Sequence, residues 1–176
     1  MKRAFLLLLM IACASCAKDH GQPPADLDFV SVERKGDLPL YVIRYHSSLN
    51  ILDLYGRGTG EGIASARLIC ALEDDDDFSV EHEIERSAYG RIQQAPARTN
   101  GSSSDFITEA FLSETLNKGQ SRRNLDADEL NRLLANKKAL PCKAVITAYG
   151  YKAYYSKPME LPVADLLREI NKPVAP

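Results

Sequence analysis

The sequence predicts an α+β fold: mainly antiparallel β in a sandwich-like sheet, with two short helices toward the C-terminus. Three observations carry this. Several stretches alternate apolar and polar residues with period two, as half-buried strands do. Asp126 and Glu129 stand three apart ahead of Leu130, Leu133 and Leu134, which is a capping box opening an amphipathic helix. Val163, Leu166, Leu167 and Ile170 repeat at helical spacing near the end of the chain. Strands in a row, followed by few helices, favour an antiparallel sheet with helices at one edge.

The elements follow in chain order. Phe29 to Glu33 reads as a short strand, Lys35-Gly36-Asp37 as a turn, and Leu40 to His46 as the returning strand of a hairpin. Ile51 to Tyr55 reads as a third strand, running into a glycine-rich loop or set of bulges from Gly56 to Gly62. From Ile63 to Leu72, Ala64, Ala66, Leu68 and Cys70 share one register of a strand, although the alanines also permit a helix. Phe78 to Ala88 has the clearest alternation, with Phe78, Val80, His82 and Ile84 on one side and Ser79, Glu81, Glu83 and Glu85 on the other. Its continuation reaches Ile92, and Gln93 to Ser104 is expected to be a long loop. Asp105 to Leu116 alternates Phe106, Thr108, Ala110 and Leu112 and reads as a strand, although it also suits a helix beginning near Ser104; Asn117 to Asn124 is a polar loop, and Asp126 to Asn136 the capped helix, with Leu125 and Leu130 as its staple. Lys143 to Tyr155 reads as a long strand with a bulge at Gly150, and Val163 to Asn171 as the terminal helix.

The first residues carry a different signal. Lys2 and Arg3 precede an apolar stretch from Ala4 to Ala12, too short to cross a bilayer, which takes about 20 apolar residues. The segment Met10-Ile11-Ala12-Cys13-Ala14-Ser15-Cys16-Ala17 resembles a bacterial lipoprotein signal. That resemblance covers the leader only. It implies cleavage before an acylated cysteine: Cys16, preceded by Ala14 and Ser15, with Cys13 as the alternative. Cleavage after Ala17 by ordinary signal peptidase stays open as a route to a free protein. The implied address is the periplasmic side of the envelope, with an outer-membrane anchor because no Asp follows either cysteine. The chain then divides into a signal peptide (1–15), a lipidated cysteine and proline-containing tether (16–26) and one globular domain (27–176). In an oxidising periplasm, Cys70 and Cys142 are expected to form one disulfide, with two buried thiols as the alternative.

Charge and motifs restrict function. Without Lys2 and Arg3, 20 basic residues face 24 acidic ones, which gives no electrostatic case for nucleic acid. Gly56, Gly58 and Glu61 break the dinucleotide fingerprint, and no Gly-Lys-Ser/Thr completes a P-loop. No second histidine accompanies His82-Glu83, and no serine sits in a hydrolase elbow or a Ser-x-x-Lys pair. The expectation is therefore no catalytic residues, no metal and no cofactor, with His82 as a core histidine. A hydrolase site assembled from distant carboxylates stays open. The run Glu73 to Asp77 lacks the glycine and spacing of a calcium loop, so a solvated acidic turn is expected before a calcium site. Asp74, Asp75, Asp76 and Asp77 then suit a basic partner, and Tyr149, Tyr151 and Tyr154 suit a protein interface. Together these predict a non-catalytic envelope lipoprotein that binds a protein, in its most concrete form an inhibitor or immunity protein against an envelope-acting toxin or hydrolase. A structural component of an envelope or secretion assembly is the neighbouring alternative.

Overall fold

A computed structural model describes residues 17–55, 62–96, 104–117 and 119–173. The leader with Cys13 and Cys16, and most of the glycine-rich loop, lie outside the described residues. The chain is α+β and mainly antiparallel, as its pattern predicts.

Among the described residues, nine strands form one sheet. β1 (Leu27–Arg34) and β2 (Leu40–Ser47) make the expected hairpin. β3 (Ile63–Ala71), β4 (Arg86–Gln94) and β5 (Asp105–Leu116) follow. β6 (Ser121–Asn124), α1 (Ala127–Leu134), β7 (Ala139–Ala148), β8 (Tyr154–Tyr155), β9 (Met159–Pro162) and α2 (Val163–Ile170) complete the chain. The spatial order is β1-β2-β5-β4-β3-β7-β8, with β6 on β5 and β9 on β7, and every pairing is antiparallel.

The sheet curls until β1 approaches β9, and α2 packs across the seam on β1, β7 and β9. The inner face holds the core, including Ile43, Tyr45, Leu68, Phe106, Leu140 and Ile146. Phe29 and Val32 both serve that face although they stand three apart. A bulge at Val30 absorbs the odd residue. At the seam, Glu169 of α2 accepts the backbone N–H of Arg34 and an ion pair from Lys172. Burial opposes its charge, but Lys172, that N–H and Arg168 outweigh it and hold the carboxyl below its ordinary value. A potentially bare end of β1 is thereby satisfied.

Cys70 and Cys142 are bonded, directly opposite each other on β3 and β7 with Cα atoms 3.9 Å apart. The predicted capping box is formed: the Asp126 carboxylate accepts the Glu129 N–H at 2.8 Å, and the Glu129 carboxylate accepts the Asp126 N–H at 3.0 Å. Leu125 and Leu130 are both buried.

Several elements differ from expectation, each for a local reason. Ile51 to Tyr55 is a pair of turns, because the Asn50 side chain takes the Leu52 N–H; its apolar residues plug the core as a loop. Phe78 to Glu85 is not a strand, and β4 starts at Arg86. The polar segment Asn117 to Asn124 contains β6, made possible by positive φ at Asn117 (53°) and Gly119 (88°) that closes a hairpin onto β5. The long final strand is really β7, a turn and β8. Gly150, at φ 79°, is the turn residue and not a bulge, and β7 begins at Ala139 instead of Lys143.

Candidate functional site

The inner face of the sheet is core, which leaves its outer face and its loops as the accessible surfaces. The acidic run comes first. Asp75 accepts the Asp77 N–H at 3.2 Å, and Asp77 accepts the Ser79 N–H at 2.9 Å. These successive Asx turns divert the backbone N–H groups that a strand would need. The chain then folds back over the outer face. Phe78 and Ile84 bury against Ala71 and Val145, forming a small second core beneath the loop. Val80 N–H reaches the Tyr155 hydroxyl at 3.1 Å.

His82 is therefore an exposed loop residue and not a core histidine. Its Nε2 lies 2.7 Å from Asp75 Oδ2, and this hydrogen bond raises its pKa above the ordinary 6.5. Asp74 pairs with Lys137, so much of the acidic run is occupied by its own protein. Glu73, just before it, joins a five-member ion network through Arg86, Glu114, Arg123 and Glu129. Arg123 and then Arg86 hold the Glu114 carboxyl below its usual range. Arg123 and the Asp126 N–H bring Glu129 down to about 2. This network ties β4, β5, β6 and α1 together. Its charges face one another.

The tyrosines separate. Tyr149 projects from the β7–β8 turn, and Tyr151 packs its ring on Tyr55 at 4.6 Å. Tyr154 is fully buried. Its hydroxyl accepts the Ala25 N–H at 2.6 Å and donates to the Pro23 carbonyl at 3.1 Å. It belongs to the core and cannot touch a partner, so the expectation of an interface residue there is corrected. The acidic run follows the end of β3, whereas Tyr149 follows the end of antiparallel β7. The nine residues of β3 lie between them, a span of about 27 Å. They cannot form one small contact surface.

What the fold does assemble is a groove of about 480 Å³ between the acidic loop and Arg122. Its floor is the outer face of β3, β4 and β7, including Arg67, Tyr89, Val145 and Thr147; its wall includes Glu81, His82 and Glu83. Arg122 stacks over the Tyr89 ring at 4.0 Å from its centroid and approaches Glu83 at 3.5 Å.

At one end of this floor, Arg67 of β3 stands directly opposite Arg91 of β4. Like charges in that position oppose pairing. Among the described residues, neither guanidinium has a carboxylate or hydrogen-bond partner. The β3–β4 ladder ends at this pair although both strands run on, leaving a cleft of about 780 Å³ that both arginines line. The arrangement can receive a segment carrying carboxylates: two forked cationic donors converge at an opening, next to an aromatic and hydroxyl-lined floor.

Arg67, Arg91, Tyr89 and Arg122 were not singled out from the sequence. Arg67 carries a weak signal, a charge on the outward register of an apolar strand. That Arg91 faces it is a matter of strand register alone. Among the described residues, no group of three or more His, Cys, Asp or Glu side chains could hold a metal ion, and no helix is long and apolar enough to cross a membrane. Comparison with protein-family models, with curated proteins and with solved structures gave no match.

Proposed function

We propose that this chain is a lipid-anchored envelope protein that binds another protein, most concretely an inhibitor or immunity protein that neutralises an envelope-acting toxin or hydrolase. The lipoprotein-like leader supports the address, on the periplasmic side with the anchor in the outer membrane. The observation that carries the binding reading is the uncompensated Arg67–Arg91 pair at the cleft where the β3–β4 ladder stops. A like-charge pair costs stability in the free protein, and an acidic segment of a partner relieves that cost on binding. Arginine forks on partner carboxylates provide both attraction and register.

The partner face is thus the basic cleft where the β3–β4 ladder ends, not the acidic turn. Each charge-assisted contact contributes about 1.5–3 kcal/mol, so losing one arginine weakens binding about 10- to 100-fold. The test uses the exported protein as bait in an envelope extract, beside an Arg67→Glu/Arg91→Glu bait of equal stability. A single stoichiometric partner, held by the first and lost by the second, supports the proposal. Recovery of no partner by either bait, together with turnover of a small envelope substrate, overturns it in favour of a hydrolase whose carboxylates include Glu81 and Glu83 of the groove wall.

A further inference from the structure

The N-terminal segment is docked. Lys18 forms a parallel bridge with Tyr151: its N–H donates to the Gly150 carbonyl at 2.8 Å, and its carbonyl accepts the Lys152 N–H at 2.9 Å. The His20 ring meets the Tyr154 ring edge-on with centroids 5.1 Å apart. Pro23 and Ala25 then share the Tyr154 hydroxyl. Within the segment 16–26 read from the sequence as a lipidated cysteine and tether, the residues from Lys18 to Ala25 are therefore strapped along the domain. From Cys16 to Lys18 there are only two peptide units, at most about 7 Å.

This has a geometric consequence, which rests on the proposed acylation of Cys16. An acyl group there holds the β7–β8 turn at the headgroup layer. Tyr149 stands at that turn with 89 % of its surface exposed, the most exposed large apolar side chain among the described residues. Lys18 and Lys152 flank it. Asp19 lies 3.9 Å from Lys152, and Lys18 has no acidic partner among the described residues. A tyrosine with an apolar ring and polar tip, beside lysines on flexible stems, is the chemistry of a membrane interface. The acidic run sits at the other end of β3 and β7, turned away from anionic lipid.

We infer that the turn from Tyr149 to Lys152 is a membrane-contact surface. It seats on the headgroups of an anionic bilayer, so that the domain stands with its acidic loop outward and the Arg67–Arg91 cleft, which opens between the Ile63 end of β3 and β4, on the membrane-proximal half of the sheet.

The chain contains no tryptophan, so Tyr149→Trp places a single reporter at the turn and Val80→Trp places one in the distal acidic loop. Each full-length variant is exported, purified from membranes and reconstituted in phosphatidylethanolamine–phosphatidylglycerol vesicles. Intact mass records whether Cys16 is acylated. The expected result is an acylated protein in which Tyr149→Trp emission moves to shorter wavelength and is quenched by bromine-labelled acyl chains several-fold more than that of Val80→Trp. An acylated protein with equal, water-like emission from both variants overturns the contact surface while leaving the lipid anchor intact. A product lacking the acyl group overturns the anchor, and the contact surface with it.

Discussion

Removing the Cys70–Cys142 bond should cost this domain a large part of its stability. The two residues are 72 apart in sequence, so the bond closes a long loop in the unfolded chain. The chain-entropy relation gives about 4 kcal/mol for a loop of that length at 25 °C. A domain of this size is stable by about 5–15 kcal/mol, so the loss is a substantial share. The perturbation is the Cys70→Ala/Cys142→Ala double variant, which keeps the cross-strand pair apolar and small. With a urea m-value of about 2 kcal/mol/M, the unfolding midpoint should fall by about 2 M. Both sulfurs are fully buried, so dithiothreitol should leave the native wild-type protein folded. Once urea has exposed them, the reduced wild type should match the double variant. A midpoint lowered by less than about 0.5 M would refute the loop-closure reasoning.

Other consequences can be checked separately. A Cβ at Gly90 would lie 2.0 Å from the Glu109 carbonyl oxygen and 2.7 Å from Thr108 Cγ2. Gly90→Ala should therefore cost about 2–4 kcal/mol, and a circular-dichroism melt showing a Tm drop of only a degree or so would contradict the close β4–β5 approach. His82 has its pKa raised in the folded protein, so its bond to Asp75 contributes fully below its ordinary pKa of 6.5 and is lost as pH rises through the elevated value. The stability difference between wild type and Asp75→Asn should thus be larger at about pH 6 than at about pH 8, and the His82 titration seen by NMR should move toward 6.5 in the variant; the opposite pH trend counts against the pair. Arg91→Gln relieves a like-charge cross-strand pair and should leave Tm unchanged or slightly higher while lowering partner affinity. A clear loss of stability would mean that the arginine serves the fold and not a partner.

The sequence by itself determined whatever depends on neighbours along the chain. The capping box at Asp126 and Glu129, the terminal amphipathic helix and the β1–β2 hairpin are local patterns, and each formed where its residues stand. The strand from Asp105 to Leu116 was legible only in part: Phe106, Thr108, Ala110 and Leu112 share one buried register, but Ile107 and Phe111 blur the alternation enough to suit a helix as well. Local reasoning failed where side chains compete with the ladder. Phe78 to Ile84 alternates well, yet the carboxylates of Asp75 and Asp77 capture backbone N–H groups just ahead of it and turn the chain. The reverse happened at Ser121 to Asn124, a polar segment that became a strand because β5 offered it an edge. The candidate site was almost wholly illegible. Tyr154 looks like its exposed neighbour Tyr149 in sequence, and only packing puts one in the core and the other at a turn. Arg67 and Arg91 are 24 positions apart, and nothing local says that they face each other. Tertiary structure decided that, because register across a sheet is set by burying every inner face at once, and the outward residues are carried into opposition by that constraint.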